Sequence, residues 1–127
     1  FPSFYSRSSG LSKINRVDSP KEIVETFINN QLLKLPCSTL VSNPVPIENE
    51  ILPTEIDSVI KKALVELKKN QVSGKAVTPF LLDAIFKETK GKSLETNISL
   101  ALNNVKLGAK IAKELSTRTK RSGSKFQ

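Results

Sequence analysis

The stretch SLETNISLALNNVKLGAKIAKEL, residues 93–115, decides how the rest of the chain is organised. Its apolar and small residues recur at alternating intervals of four and three, which predicts one buried stripe along an α-helix. The stripe consists of Leu94, Ile98, Ala101, Val105, Gly108, Ala112 and Leu115. At 1.5 Å per residue the helix would be about 33 Å long, enough to cross a small domain.

Two asparagines, Asn97 and Asn104, lie on or beside this stripe. An amide so close to apolar packing needs a hydrogen-bond partner, because an unpaired buried amide costs about 1–3 kcal/mol. Two interpretations are open. In the first, which the pattern alone favours, the amide caps a loop or ties down another helix. In the second, the amide lines a polar pocket.

The composition indicates one soluble globular domain, because 127 residues with 38% hydrophobic and 25% charged side chains are ordinary for that class. The chain contains no methionine, so we expect it to be part of a longer polypeptide. No apolar run is long enough to cross a membrane, and no membrane partner is expected. A single cysteine, Cys37, excludes an internal disulfide and suits a reducing compartment, so we expect an intracellular protein, cytoplasmic or organellar.

The chain has no histidine, and this absence limits its chemistry more than any other feature. A zinc site, a Ser–His pair and a Cys–His pair are all excluded within these residues. The net charge of +8 could suggest nucleic acid, but much of it lies in the tail STRTKRSGSKFQ, residues 116–127. That tail lacks apolar periodicity, so we predict it to be basic and disordered, and we expect no nucleic-acid interface.

Three further helices are predicted before residue 93. The first begins at Ser19-Pro20, with Glu22 closing a capping box, and ends near Lys34. The second covers residues 54–70 with Thr54 as its cap, and the third begins at Thr78-Pro79 and stops at Gly91. The residues expected to face inward are Ile23, Phe27, Ile28 and Leu32 in the first helix, and Ile56, Val59, Ile60, Ala63 and Leu67 in the second.

A short buried strand is predicted at residues 38–42, ended by Asn43-Pro44-Val45-Pro46. Ligands of open α/β sheets bind beyond the carboxyl ends of strands, which makes Asn43 a weak site candidate. Turn formation alone also explains an asparagine before a proline. Residue patterns by themselves therefore predict the helical half of an α/β protein, without a catalytic constellation.

Five segments, in order, resemble the C-terminal part of the pseudouridine-5′-phosphate glycosidase family, also described as indigoidine synthase A-like. They are FYSRSSG (4–10), RVDSPKEI (16–23), VSNPVP (41–46), GK and TPFLL (74–82), and SL, NI, L and NN within 93–104. The sequence departs from the family pattern at Cys37-Ser38 and at Lys90-Gly91, where paired glycines are usual, and at Ala76, where an acidic residue is common.

The resemblance implies a layered α/β enzyme, assembled as a homotrimer, that cleaves the C–C glycosidic bond of pseudouridine 5′-phosphate to uracil and ribose 5-phosphate. It also implies a lysine that forms a Schiff base with the sugar, and a manganese ion. Those catalytic groups and metal ligands belong to the part of the family pattern upstream of this chain, so no catalytic or metal-binding residue is expected here. Asn97 matches the family asparagine that lines the substrate pocket, which favours the second interpretation for that residue.

We therefore expect residues 1–115 to be the C-terminal part of a single glycosidase domain, with about four helices and one or two short strands. The expected partners are a small-molecule nucleotide and two further copies of the full-length protein. This chain alone should be inactive. The alternative is a non-catalytic helical assembly module derived from the same family.

Overall fold

Four α-helices make up most of the chain in the computed structural model, which describes residues 1–12 and 15–121. The helices are α1 (Pro20–Leu32), α2 (Pro53–Lys69), α3 (Val77–Glu88) and α4 (Lys92–Arg121). Single 3-10 turns at Ile47–Asn49 and Gly74–Ala76 precede α2 and α3. None of the described helices is both long and apolar enough to cross a membrane.

The start of α1 confirms the predicted capping residue. The Ser19 hydroxyl accepts a hydrogen bond from the Glu22 backbone N–H at 3.3 Å. The Glu22 carboxylate reaches back to accept one from the Asp18 N–H at 2.8 Å, so two N–H groups at the helix start are satisfied. The helix ends at Leu32, slightly before the predicted end, and Lys34 turns away with a φ of +52°.

The inward face of α1 is narrower than predicted. Ile23 is buried, together with Val24, which was not expected, and Ile28 is half-buried. The prediction is wrong for Phe27 and Leu32, which are exposed. Among the described helices α1 packs only on α4. Helix α4 therefore covers one narrow row of α1 residues, and the apolar residues beside that row face outward.

The main core lies between α2, α3 and residues 1–12, which we call the opening loop. It contains Tyr5, Ile51, Ile56, Ala63 and Ile85, with Val59, Ile60, Leu81 and Ala84 packed around them. The predicted inward face of α2 is therefore confirmed for Ile56, Val59, Ile60 and Ala63, whereas Leu67 is half-buried and lies outside this core. The caps of α2 and α3 differ from the prediction, because Leu52 and Ala76 precede these helices and Thr54 and Thr78 lie inside the first turns.

The opening loop is fastened into this core by hydrogen bonds to residues 45–51. The Ile51 N–H donates to the Tyr5 carbonyl at 3.0 Å, and the Ser6 hydroxyl donates to the Ile51 carbonyl at 2.6 Å. The Arg7 guanidinium donates to the Val45 carbonyl at 2.7 Å. These bonds hold the Tyr5 ring inside the protein, beside the start of α4.

The predicted strand at residues 38–42 is wrong for this structure. Residues 35–46 have no regular secondary structure, and Leu40 is 89% exposed. A strand needs a neighbouring backbone to accept and donate its hydrogen bonds, and the described residues contain no strand that could pair with this one. The described part of the chain is therefore helical, and the predicted α/β class is not seen in it.

Helix α4 extends beyond the predicted end at Leu115 and runs to Arg121. The first residues of the predicted tail are thus helical, whereas residues 122–127 lie outside the described part of the chain. The far end of the helix is tied to α1, because the Arg118 guanidinium donates to the Glu25 carboxylate at 2.7 Å and also bonds Glu114.

The face of α4 that is buried is not the predicted one. Six residues of the predicted stripe are exposed and only Leu115 is half-buried; the exposed ones are Leu94, Ile98, Ala101, Val105, Gly108 and Ala112. We call Leu94, Ile98, Leu102 and Val105 the outer face. The inner face, defined by Thr96, Ser99 and Asn103, packs on residues 44–49. Its neighbours are backbone carbonyls and an amide, which require hydrogen-bond donors rather than apolar side chains. The helix also packs on α1, and its apolar residues Leu107 and Ile111 are half-buried.

Candidate functional site

Three side chains of the inner face hold the segment before α2 against the helix. The Thr96 hydroxyl donates to the Asn49 carbonyl at 2.8 Å, and the Ser99 hydroxyl donates to the Asn49 side-chain oxygen at 2.7 Å. The Asn103 amide donates to the Pro44 carbonyl at 3.0 Å. Residues 44–49 are consequently anchored along more than one turn of α4.

The second site candidate, Asn43, takes part in the same anchoring. Its amide donates to the side-chain oxygen of Asn104 at 3.1 Å, so Asn104 ties down a loop as the first interpretation predicted. Asn97 lies seven residues earlier in α4, about 10 Å away along the helix axis. The structure thus separates the two candidates, and Asn43 is not among the residues that line the pocket at Asn97.

A pocket of about 280 Å³ lies where α3, the start of α4 and the opening loop meet. It is lined by Tyr5, Leu82, Phe86, Ser93, Leu94 and Asn97. The turn between α3 and α4 allows this approach because Gly91 adopts a φ of +90°, which side chains rarely permit. A Cβ at Gly91 would lie 3.5 Å from the Phe86 ring, which is an ordinary contact, so the backbone conformation rather than space requires the glycine.

The walls of the pocket are mainly apolar, with one amide. Asn97 is half-buried, and its side chain can donate and accept hydrogen bonds at the same time. Burial raises the pKa of the Tyr5 phenol above its ordinary value, so this side chain is neutral near pH 7. The Tyr5 ring is also held edge-on by Phe4, with ring centroids 4.7 Å apart.

This arrangement can bind a flat, hydrogen-bonding molecule but supplies no reacting group. None of the described side chains that line the pocket is a carboxylate, an amine or a thiol. Nor does the described part of the chain gather three or more His, Cys, Asp or Glu side chains that could hold a metal ion. The pocket wall offers packing and one amide.

Sequence reasoning did not identify three of the lining residues, Tyr5, Leu82 and Phe86. A usable signal was present for the last two, because they lie four residues apart and so share one face of α3. Tyr5 gave no such signal, since its position depends on hydrogen bonds to residues distant in the sequence.

Comparison with known proteins identifies the family. The profile described as "Indigoidine synthase A like protein" matches residues 1–114. The curated pseudouridine-5′-phosphate glycosidase of Petrotoga mobilis is 45% identical over 113 residues, which cover 89% of this chain and 37% of that protein. The chain therefore spans less than two-fifths of the length of this relative.

Solved structures agree with this match. The indigoidine synthase A-like protein of Thermotoga maritima superposes with a TM-score of 0.76 at 38% identity, over 88% of this chain and 36% of that one. The prealnumycin C-glycosynthase AlnA superposes with a TM-score of 0.81 over 93% of this chain and 39% of that one, but at 19% identity it shows the fold alone. The resemblance found in the sequence is confirmed, and this chain belongs to the indigoidine synthase A-like family.

Proposed function

We propose that the protein carrying this chain is a pseudouridine-5′-phosphate glycosidase, which splits the C–C glycosidic bond of its substrate into uracil and ribose 5-phosphate. The observation that carries the proposal is the Asn97 amide at the wall of an apolar pocket, in a chain 45% identical to a curated glycosidase. This chain would form one wall of the substrate site.

The chemistry of that wall suits the base of the substrate. Uracil is flat and presents alternating N–H and C=O groups on its edge. One asparagine side chain can pair with an adjacent donor and acceptor, while the rings of Phe86 and Tyr5 offer apolar surface to the base. Asn43 remains a weaker candidate, because its amide is engaged with Asn104.

Bond cleavage requires groups that this wall does not contain. A lysine elsewhere in the domain would add to C1 of the sugar and displace the ring oxygen. As the C–C bond breaks, its electron pair would leave with the base, and the lone pair of the lysine nitrogen would form the Schiff base at C1, which water would hydrolyse to ribose 5-phosphate. An acidic side chain would protonate the leaving carbon of the base. The manganese ion implied by the family would have its aspartate ligand on that same part of the domain, and the complete protein would assemble as a homotrimer.

A chimera tests this division. Residues 1–114 of this chain would replace the matching third of the Petrotoga mobilis glycosidase, and turnover of pseudouridine 5′-phosphate would be measured. We expect Asn97→Ala to lower kcat/KM at least tenfold, about 1.4 kcal/mol of lost transition-state binding. Asn97→Asp, which keeps the shape but loses the N–H donors, should show a similar loss.

The matched control is Asn30→Ala, because Asn30 is also a half-buried helical asparagine but lies on α1, away from the pocket. It should leave kcat/KM within twofold. Unchanged kinetics for Asn97→Ala would remove that residue from the site. A folded chimera without any turnover would contradict the enzyme and support the assembly module. Turnover by the isolated 127-residue chain would show that the reacting groups are not elsewhere.

A further inference from the structure

Ser93, in the first turn of α4, carries a hydroxyl that the fold itself does not use. The residue is only 3% exposed, and it lines the pocket at Asn97. Its backbone N–H donates to the Thr89 hydroxyl at 3.1 Å, but its own hydroxyl has no partner among the residues that the structure describes. Every fully enclosed side-chain oxygen of those residues has a partner, so the Ser93 hydroxyl must open into the pocket.

The start of α4 does not need this hydroxyl as a cap. A serine at the start of a helix usually accepts a hydrogen bond from a backbone N–H of the first turn. Here the Thr89 hydroxyl accepts from the Ser93 N–H, and the Gly91 carbonyl accepts from the N–H groups of Leu94 and Glu95 at 3.0 and 3.3 Å. The Ser93 side chain is therefore available to a molecule in the pocket.

The same bonds make the pocket unsuited to a phosphate. A helix start binds phosphate through free backbone N–H groups, and those of residues 93–95 are already engaged. The first turn also carries the carboxylate of Glu95, and the ammonium group of Lys92 is paired with Glu55 at 2.9 Å. The part of a nucleotide that suits this pocket is consequently its neutral base.

Ser93 and Asn97 are placed to bind one edge of that base together. They lie four residues apart in α4, so they share a face of the helix, with their Cβ atoms about 5–6 Å apart. One edge of uracil presents a carbonyl, an N–H and a second carbonyl in a row. An asparagine amide matches an adjacent N–H and carbonyl, and a serine hydroxyl can donate to the carbonyl that is left.

We propose that the Ser93 hydroxyl donates to one carbonyl of the uracil base while the Asn97 amide pairs with the N–H and the other carbonyl. This inference rests on the function proposed above and names a second residue that recognises the base. The two side chains would present a donor, an acceptor and a donor to the three groups of the uracil edge. A base that lacks one of these groups leaves its partner unpaired in the pocket, which weakens binding.

Inhibition by free bases tests the pairing, in the full-length protein that carries this chain or in the chimera. The bases are uracil, 2-thiouracil and 4-thiouracil, because each thiouracil replaces one carbonyl oxygen with sulfur, a weaker acceptor. Turnover of pseudouridine 5′-phosphate by the unaltered protein should be inhibited about fivefold more weakly by either thiouracil than by uracil. In Ser93→Ala, inhibition by uracil should weaken about fivefold, and one thiouracil should become equal to uracil within about twofold.

Two further variants serve as controls. Ser93→Cys nearly keeps the side-chain volume but supplies only a weak donor, so it should behave as Ser93→Ala does, and it decides the question if the alanine variant fails to fold. Ser99→Ala is the matched control, because Ser99 is also on α4 but donates to Asn49 and does not line the pocket. It should leave the relative inhibition by the three bases unchanged.

Two outcomes would overturn the inference while leaving the proposed function intact. An equal loss of inhibition by all three bases in Ser93→Ala would show that the hydroxyl only supports the helix. Unchanged inhibition by uracil would show that water, and not the base, is its partner.

Absence of turnover in the unaltered protein would contradict the proposed function, and the bases would then be compared by calorimetric binding. Uracil binding that weakens in Ser93→Ala, with one thiouracil becoming equal to uracil, would support the inference. Failure of the folded protein to bind uracil would contradict the inference as well.

Discussion

The two faces of α4 differ most near residues 44–49, where the usual arrangement of a surface helix is reversed. There the inner face makes hydrogen bonds through Thr96, Ser99 and Asn103, although the apolar residues Leu100, Leu107 and Ile111 are also half-buried along the helix. The outer face is apolar and exposed. An amphipathic helix normally buries its apolar side, so the difference teaches that the partner of this helix, and not its own pattern, decided which side faces this chain.

The largest effect on the stability of this chain is expected at Thr96, which is 2% exposed. Thr96→Val keeps the shape but removes the hydroxyl, so the Asn49 carbonyl loses its donor in a buried position. We expect the free energy of unfolding to fall by about 1–3 kcal/mol, measured by urea denaturation. A loss below about 0.5 kcal/mol would mean that water replaces the hydroxyl and that the inner face is not held as described.

A smaller effect is expected at Asn103, because this residue is half-buried whereas Thr96 is buried. Asn103→Ala should lower the free energy of unfolding by about 0.5–1.5 kcal/mol, because the Pro44 carbonyl loses a direct donor but stays closer to water. The paired variant Asn104→Ala removes an exposed bond to Asn43 and should cost less. The reverse order would indicate that the Asn43 contact is the stronger anchor.

The ion pair that joins the end of α4 to α1 should contribute still less to the free energy of unfolding. Arg118→Gln removes the ion pair with Glu25, whose groups are partly open to solvent. Surface pairs of this kind add little and are screened by salt, so we expect a small decrease in Tm at low ionic strength that disappears near 1 M salt. A decrease that persists at high salt would show that Arg118 acts by packing instead of charge.

The smallest effect in the isolated chain is expected at Val105, on the opposite face. Val105→Thr is the reverse of the Thr96→Val exchange, and at an exposed position it should change the free energy of unfolding by less than about 0.5 kcal/mol. The measurement is urea denaturation of the isolated chain. A loss as large as that of Thr96→Val would remove the distinction between the two faces.

Much of the local structure was predictable from sequence, because it depends on residues close together in the chain. The cap of α1 at Ser19 and the buried face of α2 follow from local geometry and from the 3.6-residue period. The strand at residues 38–42 was not predictable in the same way, because a strand exists only beside another extended segment. Five ordered motifs identified the family, although the pattern alone did not place Asn97 at a pocket.

The sequence by itself determined that residues 93–115 form a helix with one apolar stripe, and that an asparagine lies beside it, because helical periodicity is a local property. Only the tertiary structure decided that the stripe faces away from this chain and that Asn97 meets α3 and the opening loop. The physical reason is that residues 44–49 present backbone carbonyls and an amide to the helix, and these groups select hydroxyls and amides over apolar side chains.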